Sequence, residues 1–95
     1  MATLLSAVSV DGAGTGQSHT GPCTVILRGD SVMDKATVQI QISIANTAGH
    51  FVPAGRESFF TQPGVINVDA QGTYFLRAVV NQAGASTSLT CETVQ

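Results

Sequence analysis

Charged side chains are scarce in this sequence of 95 residues. Asp, Glu, Lys and Arg together make up 11% of the chain, against about 25% in an ordinary soluble domain. The four basic residues are spread thinly, so a phosphate-neutralising patch would need all four to converge. We therefore expect no nucleic-acid partner. A surface with so little charge also gives weak repulsion between copies, which indicates assembly or a covered surface.

Long apolar runs are also absent. No stretch approaches the roughly 20 consecutive apolar residues of a membrane-spanning helix. The opening Met-Ala-Thr-Leu-Leu-Ser-Ala-Val has neither the basic leader nor the long apolar core of a secretory signal peptide. These absences predict a soluble protein that is made in a cytoplasm and has no membrane partner.

Cysteine is limited to two residues, Cys23 and Cys91. A disulfide between them would close a long loop and stabilise the fold. The alternative is a pair of buried free thiols, which behave as small apolar side chains. Without an export signal the free thiols are favoured, and without neighbouring histidines the two cysteines do not make a zinc site.

The clearest pattern that is present is alternation within Ala36–Ala45. The apolar positions of this stretch are Val38, Ile40, Ile42 and Ile44, and uncharged polar residues separate them. Side chains of a strand alternate between two faces, so the stretch predicts a strand with one buried face and one polar face. A second strong strand is predicted over Thr73–Asn81, where both faces are largely apolar. A central position or a subunit interface would cover both faces of such a strand.

Weaker strand signals occur elsewhere between turn residues. They cover Thr3–Val10, Cys23–Arg28, Phe51–Val52, Ser58–Thr61, Gly64–Val68 and Thr87–Val94. The Gly-rich stretch Asp11–Pro22 is predicted to be a loop, so residues 1–22 would form an N-terminal strand or arm followed by that loop. The pattern predicts one all-β domain over residues 1–95, a small antiparallel β-sandwich or barrel of about six to eight short strands.

No catalytic constellation is apparent in the sequence. The acidic residues lie mostly in turns, where carboxylates are favoured by local hydrogen bonds. His19 and His50 each lie next to a glycine or in a loop stretch, without the partners that a metal ligand or a general base needs. We therefore predict solvated loop histidines, no metal, no cofactor and no enzymatic activity.

The aromatic residues are the candidate contact residues. Adjacent Phe59 and Phe60 must point to opposite faces of an extended strand, so one of them can lie outside the core. Together with Phe51 they flank a Pro/Gly-containing segment and form a candidate partner-binding site. The alternative is that this irregular segment folds over the end of the sandwich and buries Phe59 and Phe60.

Both ends of the chain carry a family resemblance. The opening Met-Ala-Thr-Leu-Leu-Ser-Ala-Val-Ser-Val-Asp-Gly-Ala-Gly resembles the start of small virion proteins encoded in the structural modules of tailed bacteriophages. The stretch Leu76-Arg-Ala-Val-Val-Asn-Gln-Ala-Gly-Ala-Ser-Thr-Ser-Leu89 resembles the end of the same proteins, so the resemblance covers roughly a third of the chain. It implies a β-rich capsid or tail accessory protein in the virion, with no enzymatic residues to carry over.

The leading hypothesis is a capsid decoration protein that binds the assembled shell, with the major capsid protein or another virion protein as partner and homo-oligomerisation as an open question. In this hypothesis the residues before Cys23 act as an arm that adds a strand to a neighbour. A second hypothesis is a tail, neck or fibre-base component whose strands pair within a ring. A third is a ligand-binding β-sandwich module, for instance for carbohydrate, although the chain has no Trp and one Tyr for a stacking platform.

Overall fold

A computed structural model describes residues 2–55 and 58–95. In chain order the strands are β1 Ala2–Val8, β2 Gly12–Ala13, β3 Gln17–Thr20, β4 Cys23–Leu27, β5 Thr37–Ser43, β6 Val52–Pro53, β7 Phe59–Phe60, β8 Gly64–Val68, β9 Thr73–Asn81 and β10 Leu89–Val94. A 3-10 turn over Ala48–His50 lies between β5 and β6. Within these residues, no helix is long and apolar enough to span a membrane.

The ten strands form two antiparallel sheets. One sheet has four strands in the order β1-β10-β4-β8. In the other, β9 and β5 are central, β2 and β3 both pair with β9, and β6 and β7 both pair with β5. The six strands of this sheet therefore occupy four rows. The predicted small all-β sandwich is confirmed, and the strand count is higher than six to eight because both outer rows of the six-stranded sheet are interrupted.

The predicted loop over Asp11–Pro22 is wrong, because β2 and β3 lie within it. Residues Gln17–Thr20 pair in register with Thr73–Leu76 of β9. Polar residues with no apolar alternation carry little strand signal of their own, and here the backbone groups of β9 provide the pairing. The predicted bounds of Gly64–Val68 and Thr73–Asn81 agree with β8 and β9.

The alternation predicted for Ala36–Ala45 holds only for its first part. Val38 and Ile40 are fully buried, whereas Ile44 is 89% exposed. The reason is a turn, since the N–H of Ala45 donates to Oγ of Ser43 at 3.0 Å and ends the strand. The prediction that Ile44 shares the buried face is therefore wrong.

Strand β1 buries two adjacent leucines, which a regular strand cannot do. Leu4 and Leu5 are both buried, because the register with β10 shifts between Thr3 and Leu5 and again before Val8. A bulge lets neighbouring side chains turn to the same side. The predicted strand Thr3–Val10 ends earlier than expected, at Val8, and Val10 lies beyond it and is 67% exposed.

One side of the sandwich is closed where the two sheets approach each other. The N–H of Gly14, between β2 and β3, donates to the carbonyl of Ala78 at 2.8 Å. A Cβ on Gly14 would lie 2.5 Å from the carbonyl oxygen of Leu4, so only glycine fits this contact. Since β1, β2 and β3 all pair with the chain's own strands, the hypothesis of a free N-terminal arm has no support in this arrangement.

His19 is buried, so the prediction of a solvated loop histidine is wrong for this residue and correct for the exposed His50. The His19 ring stacks on Tyr74 with centroids 6.0 Å apart. Its Nδ1 lies 3.0 Å from the carbonyl of Gln17 and its Nε2 lies 2.6 Å from the Thr93 hydroxyl. Since a carbonyl only accepts, Nδ1 donates to it, and in the neutral ring Nε2 then accepts from the Thr93 hydroxyl. The Thr93 oxygen also accepts from the N–H of Ala2 at 3.2 Å. These bonds connect the two sheets and the first strand.

Both cysteines are free and buried. Cys91 pairs with Leu27 and Cys23 lies four residues away on the same strand β4, a separation of about 13 Å along a strand. That distance is well beyond the reach of a disulfide. Burial raises the pKa of the Cys91 thiol to about 12, with a further contribution from Glu92. Burial, followed by a hydrogen bond to Cys23, also raises the pKa of Tyr74.

Removing the Thr93 hydroxyl is expected to destabilise the fold. Thr93→Val keeps the shape but leaves Nε2 of buried His19 without a partner, which costs about 1–3 kcal/mol. The matched control is Thr24→Val on the neighbouring strand, whose hydroxyl bonds to Asn67 at the surface and whose loss costs at most about 0.5 kcal/mol. Urea unfolding of both variants measures the difference. Equal free energies of unfolding for the two variants would contradict the assigned role of His19.

Alkaline pH is expected to destabilise the protein through Cys91. Between the ordinary pKa of 9.0 and the folded-state value of about 12, the unfolded chain has lost the thiol proton while the folded chain retains it. Stability from this group therefore falls as pH rises above 9, by up to about 1.4 kcal/mol per pH unit, and is unaffected below. Urea unfolding across this range should show that the difference in the free energy of unfolding between wild type and Cys91→Ala becomes smaller as pH rises. A constant difference between them would contradict the prediction.

Candidate functional site: the outer face of the six-stranded sheet

The six-stranded sheet turns one face away from the core. On β9, the buried positions Tyr74, Leu76, Ala78 and Val80 alternate with half-buried outward positions. We call the outward surface the outer face, and it consists of Gln39, Gln41, Phe51, Phe59, Phe75, Arg77 and Val79. The predicted apolar character of both faces of β9 is thus observed, with one face in the core and the other on this surface.

Arg77 is held at the centre of the outer face by two different contacts. Its guanidinium carbon lies 4.3 Å from the centroid of the Phe51 ring, in a cation–π arrangement. Its Nε donates to Oε1 of Gln41 at 2.7 Å, and the Gln41 amide donates to Gln39 at 2.7 Å. A long side chain fixed in this way has already lost part of the rotamer entropy that binding would otherwise remove.

Gly16 makes room for the ring that covers Arg77. Gln17 pairs with Leu76, so the preceding Gly16 lies beside Arg77. A Cβ at this position would lie 3.1 Å from Cζ of Phe51 and would also meet Oδ1 of Asn46. The glycine in the interrupted row β2/β3 therefore lets the segment after β5 fold back over the outer face.

The structure separates the three predicted contact residues. Phe59 pairs with Gln39 and is 53% exposed on the outer face, whereas Phe60 is 4% exposed in the core. Phe51 is half-buried on Arg77. The inclusion of Phe60 as a surface contact residue is therefore wrong, because the pairing of β7 with β5 turns its side chain inward. The three rings do not form one flat platform, which argues against carbohydrate stacking on them.

Arg77 is the one charged member of the outer face. Among residues 2–55 and 58–95, no carboxylate lies within ion-pair distance of its guanidinium. Within the same residues, the guanidinium makes one hydrogen bond, which it donates from Nε. Its terminal N–H groups form a planar fork of the kind that matches a carboxylate on another molecule. Sequence reasoning missed Arg77, because an isolated arginine in a strand carries no signal until its neighbours are known.

The other titratable groups among residues 2–55 and 58–95 do not converge on a site. Within the described part of the chain, no three His, Cys, Asp or Glu side chains are grouped so that they could hold a metal ion. A groove of about 370 Å³ at the end of β5 contains His50 and the buried Tyr74 among mainly apolar residues.

Comparison with known proteins gives no match to a family model, to a curated protein or to a solved structure.

The two adjacent phenylalanines provide a test of the assigned faces. Phe60→Ala is expected to cost about 3–5 kcal/mol, because it removes a buried ring from the core. Phe59→Ala removes a half-exposed ring from the outer face and should cost much less, about 1 kcal/mol. Urea unfolding of the two variants measures both values. A larger loss for Phe59→Ala than for Phe60→Ala would overturn the assignment.

Proposed function

We propose that the chain is a non-enzymatic virion structural protein of a tailed bacteriophage, most closely of the capsid decoration type. The resemblance of both chain ends to small phage virion proteins supports this class. The observation that carries the proposal is the outer face, which holds both the exposed Phe59 and the stacked, pre-ordered Arg77 on a surface with little charge. Aromatic residues and arginine are enriched at the energetically important centres of protein interfaces.

In this proposal the outer face binds the assembled shell. Phe59 loses its exposed apolar surface to the partner, which is favourable in proportion to the area removed from water. Arg77 pairs with an acceptor on the shell without first having to be ordered. A protein that binds the assembled shell and not the free subunits shifts the equilibrium towards the intact particle by mass action. The same chain therefore stabilises the shell without any chemical step.

The first experiment is a count of copies in purified virions. Gel bands quantified against the major capsid protein should give a copy number comparable to that of the capsid subunits, or one oligomer per local symmetry axis. A handful of copies would favour the alternative of a tail, neck or fibre-base component. Absence from the particle would contradict both virion hypotheses and would favour the alternative of a ligand-binding module.

The binding surface is tested on shells that lack the protein. Phe59→Ala and Arg77→Met should each weaken binding to these shells by about tenfold or more, as expected for central interface residues. The control is Val94→Ala, which removes a similarly exposed apolar side chain (44% exposed) from the other sheet. Co-sedimentation with shells measures all three variants. Equal binding by Phe59→Ala, Arg77→Met and wild type would exclude the outer face as the docking surface.

A further inference from the structure

The sandwich has four sheet edges, and the edge at β1 is protected. An exposed edge strand offers unpaired N–H and C=O groups to other chains, and natural proteins usually block it. Strand β1 has two register shifts against β10 and a left-handed backbone at Ala7, with φ of 50°. It also packs at the closed side of the sandwich, where the space between Gly14 and the carbonyl of Leu4 is too small for a Cβ. A straight strand from another molecule could not extend the sheet there.

The two edges of the six-stranded sheet are also protected. On one side, β2 has two residues and β3 has four, and the stretch around Gly14 interrupts them. On the other side, β6 and β7 have two residues each, and β6 ends in Pro53, which has no N–H to donate. Short, broken edges of this kind are poor templates for pairing.

Strand β8 has none of these protections. Its five residues, Gly64–Val68, pair with β4 in an unbroken register and include no proline, no charge and no left-handed residue. It is the last strand of its sheet, and in the described part of the chain no strand pairs with its other side. Since backbone groups in an antiparallel strand point alternately to both sides, β8 presents unpaired donors and acceptors along its free edge.

We propose that β8 pairs antiparallel with β8 of a second copy of this chain across a two-fold axis. The two four-stranded sheets would join into one continuous sheet. With Ile66 on the axis, Val65 lies opposite Asn67 of the second copy, and Gly64 lies opposite Val68 of the second copy. The surface is then self-complementary, as an isologous interface requires.

Charge favours this antiparallel pairing of identical strands. No residue of β8 is charged, and the residue that follows it, Asp69, would lie opposite Pro63 of the second copy. A parallel pairing in register would instead bring the two Asp69 residues together, and like charges directly opposite each other are destabilising. On the surface of the sheet, exposed Val65 adjoins half-buried Ile26 of β4, which adds uncharged surface next to the edge.

The test uses the full chain and measures its oligomeric state. Sedimentation velocity from low to high micromolar concentration should reveal a monomer–dimer equilibrium for wild type. The double variant Val65→Lys with Asn67→Lys places like charges directly opposite each other across the axis, and should weaken the dimer by about tenfold. The variant Val65→Glu with Asn67→Lys places opposite charges there and should restore it. Both residues are exposed, so neither variant disturbs the core.

The control variant carries the same added charge away from the edge. Thr3→Lys with Val94→Lys changes two exposed residues on β1 and β10 of the same sheet and should dimerise like wild type. The proposal is overturned if wild type stays monomeric at every concentration, or if the Val65/Asn67 double lysine variant dimerises as well as wild type. Hydrogen exchange gives a measurement that needs no variant, since amides of residues 64–68 should exchange more slowly as wild-type concentration rises. Exchange that does not change with concentration would equally exclude the interface.

Discussion

The backbone pairing between β5 and β9 is the constraint on which the rest of the structure depends. Seven residue pairs, from Thr37 with Asn81 to Ser43 with Phe75, fix the register of these two central strands. The register turns Val38 and Ile40 towards the core, and the same register places Gln41 beside Arg77 on the other face. Since side chains alternate with a period of two, a slip of one residue would exchange the two faces completely. Stability and the candidate binding surface thus have one common origin.

The sequence predicts the fold well where one pattern dominates locally. Alternation is sufficient for the first part of β5, a stretch that is apolar on both faces is sufficient for β9, and turn residues are sufficient for the bounds of β8. Sequence-based prediction fails where tertiary contacts determine the secondary structure. The polar residues of β3, for example, form a strand because β9 provides the pairing partner. It also fails where the backbone departs from a regular period, as at the bulge that buries both Leu4 and Leu5 and at the turn that exposes Ile44. These irregularities depend on single hydrogen bonds and register shifts that composition does not encode.

The candidate site is predicted less completely than the fold. Because side chains alternate between the two faces of a strand, Phe59 and Phe60 must face opposite sides. Only the pairing of β7 with β5 determines which of the two rings is buried. The position of Phe51 over Arg77 depends on space left by Gly16, a residue distant in sequence. Contacts of this kind join three separate segments, so they become visible only when the segments are placed in one structure.

The contact between β1 and β10 also has a consequence for how the chain folds. The hydrogen bond from Ala2 to Thr93 joins residues 91 positions apart, and β1 forms no complete sheet until β10 is present. Such non-local pairing implies a high contact order and therefore slow folding compared with helical domains of this size. Until β10 pairs with β1, Leu4 and Leu5, which are buried in the folded protein, are in contact with solvent. The chain is most prone to aggregate during that period.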